Sequence, residues 1–342
     1  MNIRAWLNIL STGSYTLPIV TLYVTEGCNL KCVMCSYRDS LPNELSLLEI
    51  ENLASRLHEY GLRHIVYSGG EPLTRRDFPL ICKIFSRFGV KQTLLTNGLL
   101  LEKRLDEIQN CCTEIIVSLD GATPDVHNAI RGVDSFDLIL RGIRKAVSMV
   151  GTFSVSIRCV IQKKNFREIG EIVDLAKSLS VHRVSFLAAD VFSGSFGRKA
   201  SGVPSLHAIA LDDEETEQFR ILVEQLITEH PTDFEKHFIS ESQEKLRHIV
   251  NYFKALNGKH DFPRTTCNAP MTSAVITATG EILPCFFLPS WSNIHEHRVD
   301  KVLQSFEAQL TREQVKSYSL ERCKTCVCTL NIRPVDALLD KF

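Results

Sequence analysis

The sequence has no charge excess: Lys+Arg number 39, Asp+Glu 40, and the formal net charge is −1 over 342 residues. That balance gives no field for gripping nucleic acid or an anionic membrane surface. There is no apolar run near the roughly 20 residues that a membrane-spanning helix needs. Residues 1–10 lack the long apolar core and cleavage site of a secretory signal, so a cytoplasmic protein is expected. There is no low-complexity tract, and no repeat beyond a β/α alternation. An apolar fraction of 44% supports a sizeable core. The length exceeds one minimal domain and suits a barrel with an appendage.

Cysteine is what the chain has in excess. Twelve are many for a reducing compartment, where disulfides do not persist, and they are unevenly placed. Three stand at Cys28, Cys32 and Cys35, and five at Cys267, Cys285, Cys323, Cys326 and Cys328. Clustered thiols point to metal. The scattered Cys82, Cys111, Cys112 and Cys159 read as small buried hydrophobes.

Between about 19 and 188, short β-rich runs alternate with helix-like segments. Strands are expected at 19–24, 64–67, 92–95, 114–119, 154–160 and 183–187, most rich in Val, Ile or Leu without strict alternation, as strands buried on both faces are. Helices are expected at 46–60, 77–88, 135–150 and 165–179. Six strand–helix units predict an α/β fold: a parallel sheet with right-handed crossovers, closed only part-way into a barrel. Polar and glycine-rich segments recur after the strands, at 25–36, 68–72, 96–98 and 120–121, where barrel enzymes keep their chemistry. Residues 189–211 read as a loop, two helices follow near 212–229 and 240–256, and a β hairpin is expected at 274–277 and 282–287, turning at 279–280.

Cys28, Cys32 and Cys35 follow the first strand with the spacing C-x3-C-x2-C. A [4Fe–4S] cube normally takes four thiolates, so three leave one iron open. That iron can chelate the amino and carboxylate groups of S-adenosylmethionine, and the reduced cluster can then cleave it to a 5′-deoxyadenosyl radical. With its place after strand one, this motif resembles the signature of the radical S-adenosylmethionine (SAM) superfamily. Ser68-Gly69-Gly70-Glu71-Pro72 resembles that family's GGEP motif, Thr96-Asn97-Gly98 its TNG motif, and Ser118 to Gly121 with His127 and Arg131 its strand-four region. The resemblance spans roughly 19–190 and implies a partial (β/α)6 barrel of TIM type. It implies SAM contacts from Met34, Gly69, Gly70, Glu71, Asn97, Ser118 and Arg131, with the Glu71 carboxylate accepting from the methionine ammonium. Met34 departs from the usual aromatic beside the last cysteine, so a thioether packs on adenine there. His127 and Arg131 are equally open to ligand contact and to scaffolding. Three cysteines could also form a zinc site with a fourth ligand elsewhere.

Cys267 and Cys285 flank Gly280 as C-x12-G-x4-C, and Cys323-x2-Cys326-x-Cys328 follows. Two distant pairs can complete a cube, or a zinc knuckle. This resembles the SPASM or twitch extension, and five cysteines fit the shorter, one-cluster twitch form. The resemblance implies an auxiliary [4Fe–4S] cluster on Cys267, Cys285, Cys323 and Cys326, with Cys328 the alternative to Cys326. The domains are then a helical lead-in at 1–18, the barrel at 19–190, a linker and helical insert at 191–264, and the auxiliary domain at 265–342. His295 and His297 read as solvent-facing, the aromatics at 286–291 as packing on the auxiliary cluster, and the acidic run at 212–217 as a helix start.

The function implied is a radical SAM enzyme that oxidises or remodels a small molecule such as a sugar alcohol, tetrapyrrole or cofactor precursor. It would be served by a reductant such as flavodoxin or ferredoxin. The alternatives are a maturase of a ribosomal peptide and a non-catalytic iron–sulfur sensor or scaffold. Only about 18 residues precede strand one, too few for a leader-binding domain, which favours the small molecule.

Overall fold

The computed structural model describes residues 1–149, 151, 153–198, 206–328 and 330–342. Helix α1 (Ile3–Leu10) leads into β1 (Ile19–Thr25), and α2 (Leu47–Glu59), β2 (His64–Gly69), α3 (Phe78–Ser86), β3 (Lys91–Thr96), α4 (Leu101–Ile108) and β4 (Glu114–Ser118) follow. Then come α5 (Pro124–Arg131), α6 (Phe136–Ser148), β5 (Ser154–Ile161), α7 (Ile169–Ser178) and β6 (Arg183–Ala188). The next stretch is helical: α8 (Leu206–Ile209), α9 (Asp213–Glu229), α10 (Pro231–Glu235), α11 (Gln243–Leu256) and α12 (Ala269–Thr272). Strands β7 (Ser273–Ile276), β8 (Glu281–Leu283) and β9 (Ser292–Asn293) precede α13 (Val299–Leu303), α14 (Phe306–Lys316), α15 (Glu321–Lys324) and α16 (Pro334–Leu338).

All six expected strands form, each within two residues of its sequence-derived bounds. Helix starts follow local chemistry. Ser46 with Glu49 and Asp212 with Glu215 make reciprocal capping boxes at α2 and α9, each satisfying two orphan N–H groups. The acidic run at 212–217 is indeed a helix start. Residue 150, the expected end of the sixth helix, lies outside the described residues. Helices α4 and α5 were not anticipated, because each is only eight residues long and α5 overlaps a motif-rich stretch. Cys82, Cys111, Cys112 and Cys159 are buried in the core, as expected.

The larger difference lies in the sheet. It has nine strands, in the order β6-β5-β4-β3-β2-β1-β7-β8-β9. Strand β7 pairs parallel with β1, from Ile19 opposite Ser273 to Leu22 opposite Ile276. The expected separate hairpin is thus an extension of the barrel sheet. Its second strand stops at Leu283 rather than 287, because Pro284 has no N–H to donate to the ladder. On the other edge, Ile239 bridges Val184 of β6, and the Glu241 carboxylate accepts from Phe186 N–H at 2.7 Å. The insert therefore covers the free edge of β6, with α9 and α11 packed against the last barrel unit.

Side chains alternate faces along each strand. Ile19, Thr21, His64, Val66, Thr93, Leu95, Glu114, Ile116, Arg158 and Leu187 line one cavity on the concave face. The same parity turns Tyr23, Asn97 and Ser118 inward at the strand ends. Among the described residues, no helix is long and apolar enough to cross a membrane.

Asn8 ties the lead-in helix to both sides of this join. Its buried Nδ2 donates to Thr16 O at 2.7 Å and to Met271 O at 2.8 Å, and its Oδ1 accepts from Tyr15 N–H at 2.8 Å. Asn8→Ala leaves three backbone groups unpaired and is expected to cost about 2–4 kcal/mol. A melting temperature within a degree of wild type would contradict that role.

Candidate active site

The first cysteine loop leaves the sheet where β1 ends and is stitched to three neighbours. Gly70 N–H donates to Thr25 O and Glu71 N–H to Gly27 O, both at 2.8 Å. Lys31 and Val33 N–H donate to Arg131 O and Ile130 O at the end of α5, both at 3.0 Å. Ser36 N–H donates to Phe196 O at 2.9 Å, in the segment after β6. Glycine is required at two points. Gly69 has φ of 119°, and a Cβ there would lie 2.2 Å from Thr25 O; at Gly70 it would lie 2.3 Å from Gly27 O.

Glu71 is fully buried. Its Oε1 accepts from Leu73 N–H at 3.0 Å and Thr96 Oγ1 at 2.7 Å, and its Oε2 from Asn97 N–H at 2.6 Å. A carboxylate so enclosed is a clamp between the GGEP and TNG segments. Both of its oxygens already accept from the protein. Asn97 is similarly engaged: Nδ2 donates to Asn29 Oδ1 at 2.8 Å and toward Cys28 Sγ at 3.8 Å. Arg131 pairs with buried Asp120 at 2.7 Å and points Nη1 at Cys32 Sγ at 3.7 Å. His127 Nδ1 accepts from Asp120 N–H at 3.2 Å while its buried Nε2 has no partner in the protein, and burial beside Arg131 pushes its pKa down to about 3. Met34 is half-buried and packs on Ala189, Val191 and Ile209. Ser118 stands half-buried at the end of β4.

The second set converges from three segments. Cys267, Cys285, Cys323, Cys326 and Cys328 all line the same cavity, of about 670 Å³. Asn268 assembles it: its N–H donates to Leu330 O at 2.8 Å, its Nδ2 to Ile332 O at 2.7 Å, and its Oδ1 accepts from Ile332 N–H at 3.0 Å. Asp190, after β6, fastens the last segment to the barrel by pairing with Arg198 at 2.6 Å and Arg322 at 2.5 Å. Burial opposes its ionisation, but Ser193 and the two arginines outweigh it and hold its pKa below the usual range. Tyr23 stacks on Phe286 with ring centroids 6.3 Å apart, and Cys28, Cys35 and Phe286 all pack on the cluster of Tyr23, Tyr37, Val275 and Ala278.

The donor sets fit iron–sulfur cubes. Burial pushes Cys28 and Cys285 up to about 11, so cluster loading must displace their protons. Asn97 and Arg131 aim N–H groups at two first-loop sulfurs, the donors that thiolate ligands attract. Among the described residues, no three Cys, His, Asp or Glu groups close on a single metal ion.

The family model of the Radical SAM superfamily matches residues 22–176, and that of SPASM, an iron-sulfur cluster-binding domain, matches residues 267–327. The chain belongs to the radical SAM superfamily. Its cofactors are accordingly S-adenosylmethionine, a SAM-binding [4Fe–4S] cluster and an auxiliary [4Fe–4S] cluster. This radical SAM chain is 34% identical over 178 residues to Fe-coproporphyrin III synthase of Methanosarcina barkeri, covering 49% of this chain and 43% of that protein. It is 32% identical over 177 residues to a probable GTP 3′,8-cyclase of Methanococcus vannielii, covering 49% and 59%. The chain spans about half the length of the curated relatives it matches. In fold it is similar to SuiB of Streptococcus suis bound to S-adenosylmethionine, with TM-score 0.65, 18% identity, and 94% and 75% of the two chains covered. It is also similar to anSMEcpe with bound AdoMet, with TM-score 0.62, 19% identity, and 90% and 86% covered.

Sequence reasoning marked Asp120 only as part of the strand-four motif and did not find Asp190, Asn268, Arg158 or Gln162. Gln162 is fully buried at the end of β5 with neither amide atom partnered. Arg158 had a signal: in Ser-Val-Ser-Ile-Arg, polar residues fall at every second position of an otherwise apolar strand.

If Glu71 is a clamp, Glu71→Ala orphans three donors and costs about 3 kcal/mol or more, lowering the melting temperature before any ligand is added. Normal melting with weakened SAM affinity would instead restore a direct contact.

Proposed function

We propose that the chain oxidises or remodels a small molecule held in the cavity that the inner barrel face and the C-terminal cysteines line. The observation that carries this reading is the cavity itself: about 670 Å³, walled by the inner barrel face and by all five C-terminal cysteines. That volume lies within the range of small-molecule sites. Relatives at 32–34% identity carry the names Fe-coproporphyrin III synthase, GTP 3′,8-cyclase and AdoMet-dependent heme synthase, which supports a small substrate.

Cys28, Cys32 and Cys35 hold the SAM-binding cluster, and Cys267, Cys285, Cys323 and Cys326 the auxiliary one, with Cys328 as the alternative to Cys326. Bound together, the first cluster and S-adenosylmethionine supply the 5′-deoxyadenosyl radical that takes hydrogen from a substrate carbon. The chain's residues position that event. Gly69 and Gly70 let the GGEP backbone lie against the cysteine loop, Glu71 and Asn97 fix that loop, and Arg131 sets the Cys32 thiolate. Met34 packs on the adenosine, and Ser118 offers a hydroxyl from β4. The cluster around Tyr23, on which Cys28, Cys35 and Phe286 pack, keeps water out. A reductant such as flavodoxin or ferredoxin delivers electrons. The twelve unpaired thiols suit a reducing cytoplasm.

A second reading, peptide modification, is favoured by one observation. The fold likeness to SuiB and anSMEcpe runs through 90–94% of this chain, auxiliary region included, and both have been solved with peptides.

Two measurements test the assignment. After anaerobic reconstitution the chain should hold about eight irons, and replacing Cys28, Cys32 and Cys35 with Ala should leave about four. Zinc in place of iron, or an iron-free triple variant, would refute it. With dithionite, wild type should release 5′-deoxyadenosine and methionine. Folded Cys323→Ala should still do so, yet yield several-fold less product per 5′-deoxyadenosine once a substrate is supplied. An unchanged ratio would make the auxiliary cluster structural only.

A further inference from the structure

The inner face of β5 carries a charge that the chemistry above does not use. Arg158 lines the cavity and pairs across the ladder with Ser118 on β4 and Ser185 on β6. Since Thr96 pairs with Val117, the neighbouring inward tier is Asn97, Ser118 and Arg158. Cys328 lines the same cavity. Arg158 therefore shares a tier with Asn97 and a cavity with Cys328.

Its Nε donates to Ser185 Oγ at 3.1 Å, which fixes the plane of the guanidinium and leaves the Nη fork toward the cavity. Among the described residues it enters no ion pair. Glu241, the acid whose charge it meets, is engaged with Phe186 N–H. Arg322, another cavity cation, is committed to Asp190. Ser240 Oγ lines the same cavity and is buried without a hydrogen-bond partner. Half-buried guanidinium donors that enter no ion pair among the described residues, although Glu114 and Glu241 line the same cavity, are costly to leave unpaired. A planar fork is suited to the two oxygens of a carboxylate or phosphate.

We propose that Arg158, with Ser240 as a second donor, anchors an oxyanion of the substrate, a carboxylate or a phosphate, beside the SAM tier. This rests on the reading of the cavity as the substrate chamber. It makes the substrate an anionic molecule and Arg158 a determinant of specificity.

The test uses the reconstituted full chain without reductant, so that no turnover occurs. Glutarate and inorganic phosphate are titrated by calorimetry and followed by melting temperature, with glutaramide as the uncharged control. Wild type should bind at least one anion saturably and not glutaramide; the tighter of the two identifies carboxylate or phosphate. Arg158→Gln, checked for iron content and circular dichroism, should weaken that binding by about tenfold or more, the scale of a charge-assisted pair. Ser240→Ala should weaken it less. If Arg158→Gln does not fold, Arg158→Lys decides, since it keeps the charge and loses the fork. No saturable binding by wild type, or equal affinity in the folded variants, overturns the proposal. So does a shifted auxiliary-cluster potential in Arg158→Gln with anion affinity unchanged, which would make Arg158 a partner of the cluster. None of these outcomes touches the radical SAM reading, which is judged separately by 5′-deoxyadenosine release from wild type.

Discussion

The four-residue parallel ladder between β1 and β7 is the join on which the rest depends. Cys28 leaves the sheet where β1 ends, while Cys267 enters just before β7, on the side where the parallel strands begin. The seven residues of β1 cover about 20 Å, so the ladder sets two cysteine sets apart and leaves the barrel interior between them. Asn8 buttresses the ladder from one side and Asn268 from the other. A metal-binding appendage on a flexible linker would have no fixed distance to the first loop. One built into the same sheet does.

Around that join, buried polar groups serve as positioning devices. Glu71 holds two motif loops together, the Asp120–Arg131 pair presents a cation to Cys32, and Asp190 ties the last cysteine segment to the end of β6. Only at Asp190 do the partners outweigh burial; burial still raises the pKa of Glu71 and of Asp120 despite their hydrogen bonds and the Arg131 charge. The polar residues nearest the sulfurs are thus mostly engaged with protein. Arg158 is the contrasting case: a charge held in place by Ser185 with its outer fork uncommitted.

Much of this was legible in the sequence. The six barrel strands, their order and the cysteine spacing follow from local patterning, because β-rich runs buried on both faces and a C-x3-C-x2-C loop are contiguous signals. The GGEP and TNG segments were visible as motifs, since each lies within a few residues. The sequence also showed that the C-terminal cysteines form a set, as clustered thiols in a chain of this kind point to metal.

What those residues do was decided by tertiary structure. Glu71 reads as an acceptor for an ammonium, with no sign in the sequence that Thr96 and Asn97, 25 and 26 residues away, close on it. The hairpin at 273–283 reads as independent until β7 finds the edge of β1, some 250 residues earlier. Arg158 is one charge in an apolar strand until the ladder sets it beside Ser118 and on the wall of the cavity that Cys328 also lines. The physical reason is common to all three. Periodicity and spacing report what neighbours along the chain share, whereas the environment of a buried polar group is made by segments that only the completed sheet brings together.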